Sequence, residues 1–416
     1  MNAMVIDSKL NRGDVNMIEF AILTMGLWAY KEVGESTTVD AKLFLIAIVL
    51  LIAECFMTRI YEKVVKVNTN FIRISLLLLN VGMLLAYPYG EIVTVFKTVM
   101  LSTVAILTGY IFVKTDMYRM KSVEVTAMLA IPVLLVMTRI MGKEINGAYL
   151  QIGPIMTLAL IIMLLPIACG YCITNEIEGY ASSTKSIPVN QLRLLILTMV
   201  VAVFAGLVNN EYGTACIVCV TTALLFFIYG RNIVSKLVFS GISIVAMSLA
   251  LMASTKLKSR LLICFNIDKA MELYPQEAQP VKHIQDLIGF SGLYGVNHGA
   301  LNQNIIKNVT SDYAISGLLF NTGVIFTAIV VLLLVVFIIQ ILMMNTSNRY
   351  EKVILESIAF ILSVMVVFSV GGPLGTFVLS GVGMPFVSTT ASINLALFFN
   401  VGMVLCMKEG VVRKYV

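Results

Sequence analysis

The sequence has few charged residues for its length. Of its 416 residues, 12% are Asp, Glu, Lys or Arg, whereas 59% are hydrophobic. A soluble domain of ordinary composition has about 25% charged residues, so this composition argues against a protein that folds in water. It predicts a polytopic membrane protein whose apolar helices are joined by short connections.

Apolar segments dominate the chain. About twelve of them have the length, or nearly the length, of the roughly 20 helical residues that cross the hydrocarbon core of a bilayer. The first is the shortest and most interrupted. No cleavable signal peptide is expected, because the opening residues are polar and no small-residue cleavage site follows a short apolar run. The segments lie near residues 17–34, 42–61, 70–88, 91–113, 123–141, 152–174, 190–208, 212–229, 233–252, 312–343, 353–371 and 389–407.

Three connections have no Lys or Arg at all, those near residues 88–91, 209–212 and 372–388. Basic residues accumulate in cytoplasmic connections, so these three are predicted to lie outside, with both termini in the cytoplasm. The same assignment places the polar interval 255–310 outside. Because the basic residues are spread along one membrane face and form no groove, a nucleic-acid partner is not expected.

Cysteine spacing gives no metal site. Two pairs, Cys169 with Cys172 and Cys216 with Cys219, have the C-x-x-C spacing, but both lie in apolar segments without a nearby His or turn. A structural zinc site needs further ligands, so the pairs are interpreted as small apolar side chains packed between helices. Only Cys264 falls near the predicted outer surface, and no structural disulfide is expected.

The polar interval 255–310 is the stretch best suited to chemistry, because a helix inside the bilayer presents few polar groups. Its basic side chains can bind an anionic head group, and its carboxylates can act as a general base. The interval leads directly into Ser311, Asp312 and Tyr313. Its candidate side chains are Lys258, Arg260, Asp268, Glu277, Lys282, Gln285 and Asp286.

Four short motifs follow one another on the predicted outer side, between about Gly142 and Cys406. They resemble, in the same order, the outer-face motifs of the SEDS family of cell-shape, elongation, division and sporulation proteins, typified by FtsW, RodA and SpoVE. Upstream of the third motif, Gln285 and the turn 291–295 are similar to a Gln and a glycine-rich turn of that family. The motifs are Asn-Gly-Ala-Tyr at 146–149, Asn-Glu-Tyr-Gly-Thr at 210–214, Ser-Asp-Tyr at 311–313 with Gly323 beyond it, and Ser-Gly-Val-Gly-Met-Pro-Phe-Val-Ser at 380–388.

The sequence also departs from the family pattern. The acid and base that follow the first motif are missing near Thr157, and the family's paired acids are replaced by Phe320 and Asn321. The family's essential Asp corresponds to either Glu277 or Gln279, depending on the gap. A carboxylate can accept a proton usefully and an amide cannot, so these departures leave open a relative that binds but does not catalyse.

The resemblance implies an all-α polytopic fold of about 12 transmembrane helices. A SEDS-like core of 10 helices would follow two extra N-terminal helices. Residues 1–122 would hold the N-terminal helices, and residues 123–416 the rest of the core with an extracellular loop at 253–311. It also implies polymerisation of lipid II, the undecaprenyl-diphosphate-linked peptidoglycan precursor, at the outer face of the bacterial cytoplasmic membrane during cell division, shape maintenance or sporulation. A class B penicillin-binding transpeptidase is the partner that the family suggests.

Site residues follow from the resemblance and from the polar interval. Glu277 is the first candidate base and Asp268 the second. Asp286 is the third, and Asp312 is a helix cap and site acid. No cofactor is predicted with certainty, although a divalent cation would help to stabilise the diphosphate, and no metal ligands are assigned. The predicted substrate-binding residues are Lys143, Asn146, Glu211, Lys258, Arg260, Lys282, Gln285, Pro385 and Ser388.

Two alternatives remain open. One is a catalytically inactive SEDS relative that binds lipid-linked precursor or a partner protein. The other, from a different class, is a transporter of lipid-linked glycans or an unrelated polymerase. A transporter typically has interrupted helices related by an internal repeat, and no clear repeat is visible in the sequence.

Overall fold

The computed structural model describes residues 70–86, 92–145, 148–174, 189–230, 255–295, 309–346 and 348–415, with isolated residues between 233 and 241. The apolar segments predicted near 17–34 and 42–61 lie outside these residues, as does most of the segment near 233–252. Within the described residues the chain is a multi-pass bundle of apolar helices, and the predicted fold class is confirmed.

The helices agree closely with the apolar segments of the sequence. In the described part of the chain, six helices are long and apolar enough to cross a membrane, namely α2, α3, α4, α6, α10 and α11. In chain order the helices are α1 (Asn70–Ala86), α2 (Ile92–Lys114), α3 (Lys121–Met141), α4 (Thr157–Thr174), α5 (Val189–Val201), α6 (Tyr212–Tyr229), α7 (Thr255–Phe265), α8 (Ile267–Leu273), α9 (Pro275–Phe290), α10 (Ala314–Leu342), α11 (Arg349–Gly371) and α12 (Ala391–Tyr415).

A small antiparallel sheet replaces the expected start of the sixth apolar segment. Strands β1 (Lys143–Ile145), β2 (Ala148–Ile152) and β3 (Ile155–Met156) pair in sequence order. The helix predicted to begin near residue 152 therefore begins at Thr157. The reason is local: Gly153 has φ +59°, a left-handed conformation that glycine adopts readily, and the Pro that follows favours a turn.

Helix α4 lies at the centre of the bundle and α3 at its edge. Of the apolar stretch of α4, 72% is buried, compared with 28% for α3. The Asn400 side chain of α12 donates a hydrogen bond to the Ile162 carbonyl of α4 at 3.1 Å. Most of the α3 surface is therefore left for lipid, whereas α4 is enclosed by other helices.

Helices α2 and α12 cross at very short distance because both have glycine at the crossing. A Cβ atom added to Gly109 would lie 2.0 Å from the Phe399 carbonyl oxygen, and one added to Gly402 would lie 2.1 Å from that of Ile106. Small residues allow such close backbone approach between membrane helices. The crossing thus fixes the last helix of the chain against one of the first described helices.

The two ends of the bundle differ in chemistry. At one end Arg119 forms an ion pair with Glu351, and the Tyr350 hydroxyl donates a hydrogen bond to the Tyr118 carbonyl at 2.9 Å. The other end is here called the loop end. It contains the small sheet, the turn before α6, helices α7 to α9, residues 309–313 and the connection 372–390.

Residues 255–290 of the polar interval form three helices, α7, α8 and α9, although the sequence suggested a loop. Its apolar residues recur at helical spacing among the charged ones and pack together as Ile263, Ala270, Ala278 and Val281, with Leu379 of the next connection beside them. This small core holds the three helices together and fastens them to the bundle.

We expect Gly109→Ala to lower the thermal stability of the purified protein in detergent. The added methyl group meets the Phe399 carbonyl, and overpacking of this kind costs about 1–3 kcal/mol. That cost exceeds the gain of at most about 1 kcal/mol that Ala provides over Gly in a helix. The measurement is the melting temperature of wild type and variant.

Gly289→Ala in α9 is the matched control, because nothing lies within 4 Å of the position that its Cβ would take. Its melting temperature should stay unchanged or rise. Equal effects of the two substitutions would contradict the close crossing of α2 and α12.

Candidate functional site

The turn before α6 holds a buried carboxyl group. Glu211 is 5% exposed, and its Oε1 accepts a hydrogen bond from the Thr214 hydroxyl. Its other oxygen has no hydrogen-bond partner among the described residues. Burial raises the pKa of Glu211 from 4.5 to about 8, while the Thr214 hydroxyl opposes the shift. Glu211 is the N-cap residue by position, but its side chain bonds Thr214 and makes no cap bond to the backbone.

Arg260 of α7 reaches across to the start of α6. Its guanidinium lies 5.7 Å from the centre of the Tyr212 ring, a cation–π arrangement. Burial lowers the pKa of Arg260, and the neighbouring Tyr313, Tyr212 and Asp312 oppose that effect. The guanidinium stays charged, because the pKa of arginine begins above 12. A half-buried positive charge therefore lies between the polar interval and the bundle.

Asp312 and Tyr313 approach Arg260 from the start of α10. Burial raises the pKa of Tyr313 to about 12, with Asp312 adding to the shift and Arg260 opposing it. A Cβ atom added to Gly381 would lie 3.8 Å from Asp312 Oδ2, so the carboxylate lies beside the Gly381 backbone. The same segment is held by Thr389, whose N–H donates to the Thr310 carbonyl at 2.9 Å.

The connection 380–388 packs against both the start of α6 and Asp312. A Cβ atom on Gly213 would lie 2.9 Å from the Ser380 carbonyl oxygen, so the connection contacts the start of α6. Gly381 has φ +70°, a conformation that costs glycine little. Phe386 has φ +62° and is fully buried, with its ring against Phe337 and Phe398. Such backbone strain persists only where surrounding packing enforces it.

These contacts define one group, here called the loop-end cluster: Tyr212, Arg260, Asp312, Tyr313 and Gly381. Three separate motifs of the sequence supply it, at 210–214, 311–313 and 380–388, together with one residue of the polar interval. The first motif contacts it indirectly, since the N–H of Tyr149 donates to the Asn209 carbonyl at 2.9 Å. Three of the four motifs therefore meet in the fold, and Tyr149 of the remaining motif is hydrogen-bonded to the segment just before one of them.

Several predicted site residues lie at or beside the cluster. Arg260 and Asp312 belong to it, and Glu211 precedes Tyr212 directly in the chain. Ser388 lies next to Gly383, which in turn lies close to the Ser311 carbonyl. Pro385 and Ser388 are buried. Gln285 is placed differently: its amide contacts Gly375 in the connection after α11.

The remaining predicted residues are dispersed. Lys282 Nζ and Asp268 Oδ1 lie 2.6 Å apart, so a predicted cation and a predicted acid pair with each other at an exposed position. Lys143 and Lys258 are exposed, as are Glu277 and Asp286. Asn146 lies outside the described residues.

Two members of the cluster, Tyr212 and Tyr313, were missed by sequence reasoning. The signal was available, since Tyr313 directly follows Asp312 in the third motif and Tyr212 directly follows Glu211 in the second. Their importance depends on Arg260 lying between them, and a charge in α7 cannot be assigned to two distant tyrosines without the fold.

The donor set of the cluster does not fit a metal held by the protein alone. In the described ranges, no group of three or more His, Cys, Asp and Glu side chains is placed to hold a metal ion. A divalent cation with fewer protein ligands usually depends on substrate phosphates for the rest. At this site the positive charge of the protein itself comes from Arg260.

Glu211→Gln should remove a pH-dependent instability. The unfolded chain releases the Glu211 proton near pH 4.5, whereas the folded protein keeps it until pH about 8. Stability contributed by this group therefore falls as pH rises through that window. The variant should melt several degrees above wild type near pH 8 and close to it near pH 5, with exposed Glu272→Gln as control. A pH-independent effect would contradict a neutral, buried Glu211.

No curated protein matches this chain by sequence. A solved chain from a peptidoglycan synthase complex that coordinates polymerization and crosslinking is 18% identical, with a TM-score of 0.64, and the match covers 82% of this chain and 97% of that chain.

The rod shape determining protein RodA of Thermus thermophilus has a similar fold. Its crystal structure is 16% identical, with a TM-score of 0.57, and the match covers 82% of this chain and 96% of that one. A mutant form of the same RodA matches with the same TM-score. At these identities the likeness concerns the fold.

The family profile that matches covers most of the chain. It describes the cell cycle proteins FtsW, RodA and SpoVE and matches residues 81–411, which include the loop-end cluster and all four motifs. The chain therefore belongs to the FtsW, RodA and SpoVE family of cell cycle proteins, the SEDS family.

Proposed function

We propose that this protein is a divergent peptidoglycan glycosyltransferase that polymerises lipid II at the loop end of the bundle. The observation that carries the proposal is the loop-end cluster, in which one half-buried guanidinium lies among residues from three family motifs. The solved complex that shares the fold is described as a peptidoglycan synthase that coordinates polymerization and crosslinking. That likeness supports the same class of reaction here.

The reaction requires a cation for its leaving group. Joining two lipid-linked disaccharides releases undecaprenyl diphosphate, whose negative charge must be stabilised as the glycosidic bond breaks. Arg260 suits this role, because its planar guanidinium binds phosphate oxygens in pairs and is weakly hydrated. Tyr212 and Asp312 both interact with the guanidinium, which favours an ordered side chain and little reorganisation when a diphosphate approaches. Lys258, exposed on the same helix, adds positive charge.

The reaction also requires a carboxylate that removes the proton of the acceptor hydroxyl. Asp268 is poorly suited, since its carboxylate is paired with Lys282. Asp312 is beside Arg260, and a neighbouring positive charge weakens a carboxylate as a base. Glu277 forms no ion pair within the part of the chain that the structure describes. We therefore assign the base to Glu277.

The orientation of α9 supports this assignment. Glu277, Val281 and Ile284 are spaced by four and three residues, so they share one stripe of the helix. Val281 packs in the small core with Leu379, and Ile284 packs with Val309 near Tyr313. The stripe that begins with Glu277 is thus the one that faces the bundle. Glu277 itself is exposed at the start of the helix, where a substrate can reach it.

Location and partners follow from the same proposal. Lys114, Arg119 and Arg349 lie at the end opposite the cluster, whereas the connections 209–212 and 372–388 at the loop end have no Lys or Arg. The positive-inside rule therefore supports a cytoplasmic position for the opposite end, a cluster at the outer face of the bacterial cytoplasmic membrane and both termini inside. The partner we propose is a class B penicillin-binding transpeptidase, which would crosslink the glycan in division, elongation or sporulation.

A second candidate function is supported by a specific observation. At the position of the family's paired acids, Asn321 is buried, and neither amide atom has a hydrogen-bond partner among the described residues. Phe320 beside it is apolar. A protein that has exchanged two charges for these side chains could bind precursor, or a partner protein, without polymerising it.

Glu277→Gln should abolish polymerisation of purified lipid II. Loss of a general base lowers the rate by about 10²–10⁴-fold, while the amide keeps the shape of the side chain. Glycan chains formed from labelled lipid II in detergent give the measurement, with and without the transpeptidase. Glu272→Gln is the control, since Glu272 is also an exposed acid of the polar interval. Inactive wild-type protein, under conditions that support another family member, would favour the binding-only alternative.

A cysteine at position 279 tests the sidedness. Gln279 is exposed in α9, so Gln279→Cys should react with an impermeant thiol reagent on intact cells. The matched control is Asp116→Cys, exposed at the opposite end, which should react only after the membrane is permeabilised. Both variants are made without the native cysteines. The reverse pattern of labelling would overturn the proposed topology.

A further inference from the structure

An apolar patch lies at the end of α9 and in the turn that follows. Phe290, Leu293 and Tyr294 are 72%, 59% and 65% exposed. No charged residue occurs between Leu287 and Gly295. Large apolar side chains grouped in this way are unusual on a surface that faces water and mark an interaction site. These three residues are here called the 290–294 patch.

The turn that carries the patch is hydrogen-bonded to a break in α10. Gly323 has φ 80° and ψ 179° inside that helix, so the regular hydrogen-bond pattern stops there. The N–H groups of Val324 and Ile325 donate instead to the carbonyls of Gly292 and Leu293, both at 3.3 Å. The turn thus accepts the bonds that the helix break leaves open. Backbone groups near lipid require such internal partners.

Two glycines allow the turn to lie directly against α10. A Cβ atom added to Gly323 would lie 2.3 Å from the Leu293 carbonyl oxygen, and one added to Gly295 would lie 2.7 Å from that of Asn321. The turn therefore lies in direct backbone contact with α10. The position of the break therefore determines where the turn lies along α10.

The length of α10 indicates where the break at Gly323 lies relative to the bilayer. The helix continues from Val324 to Leu342, 19 residues after the break, which rise about 28 Å at 1.5 Å per residue. The hydrocarbon core is about 30 Å thick, so this part of α10 closely matches the thickness of the core. Gly323 then lies at the boundary between hydrocarbon and head groups. Val324 and Ile325, each 45% exposed beside the turn, begin the surface that faces lipid.

We infer that the 290–294 patch inserts into the outer boundary of the bilayer and anchors α9 there. Its partner is the lipid surface, since the patch is continuous with the lipid-facing side of α10 and has no charge. Aromatic side chains are favoured at this level of a membrane. The polar interval is thus in part a membrane-bound segment. The inference does not depend on the proposed chemistry.

The start of the interval provides a contrast within the same segment. Leu273 at the end of α8 is 59% exposed, as Leu293 is. Its exposed neighbours in the same helix are Asp268, Lys269 and Glu272, which water solvates. The two leucines are therefore matched in type and exposure and differ in their surroundings.

Tryptophan fluorescence tests the inference. Trp28 is the single Trp of the chain, so Trp28→Phe gives a background without Trp, and Leu293→Trp or Leu273→Trp then adds one probe. The full-length variants are reconstituted into phosphatidylcholine vesicles. Their acyl chains carry bromine either near the head group or near the chain end. Tyr294→Trp is a second probe of the patch.

Leu293→Trp and Tyr294→Trp should emit at shorter wavelength than Leu273→Trp. Lipid brominated near the head group should quench them at least about twice as strongly as it quenches Leu273→Trp, and more strongly than lipid brominated at the chain end. Acrylamide in the water should quench Leu273→Trp the most. Equal quenching of all three probes by acrylamide, without quenching by bromine, would show a water-facing patch available to a protein partner and would overturn the inference. No activity is measured, so failure of the proposed polymerase chemistry would not affect the result.

Discussion

The hydrocarbon core accepts backbone only where every N–H and C=O has a partner inside the protein, and this constraint organises the whole molecule. The described spans satisfy it as helices, packed most closely where glycine lets α2 approach α12. Most of the described irregular backbone lies at the loop end, where turns, a small sheet and three amphipathic helices pack together, and the rest forms short turns at the opposite end. Even the break at Gly323 obeys the rule, because an adjacent turn supplies its missing acceptors.

The same confinement explains why polar chemistry concentrates at the loop end. Arg260 would be costly in the centre of the bundle, but between Tyr212, Tyr313 and Asp312 it has an aromatic face and an opposite charge beside it. Glu211 directly precedes Tyr212 and is buried. Among the described residues its only hydrogen-bond partner is Thr214, and burial raises its pKa. Arg260 therefore keeps its charge beside favourable neighbours, whereas Glu211 avoids a buried charge by keeping its proton.

Sequence reasoning performed best where one physical signal dominates. Hydropathy located α6 at residues 212–229 and α3 to within two residues, because crossing the bilayer requires long apolar runs. The motif order brought Asp312 and Arg260 to the same end. It did not predict helices in the polar interval, the strands around Gly153 or the pairing of Asp268 with Lys282. Those features depend on contacts between distant residues, which a single sequence does not specify.

The crossing of α2 and α12 has a consequence for how the protein is made. Helix α12 follows all the other described helices in the chain, and the connection 380–390 that precedes it contacts Asp312, Thr310 and the start of α6. Since synthesis proceeds from the N-terminus, α12 and the connection 380–390 are synthesised after all the described helices that they contact. The contacts of α12 with α2 and α4, and those of the connection 380–390 with the loop end, can therefore form only after the receiving helices have been synthesised.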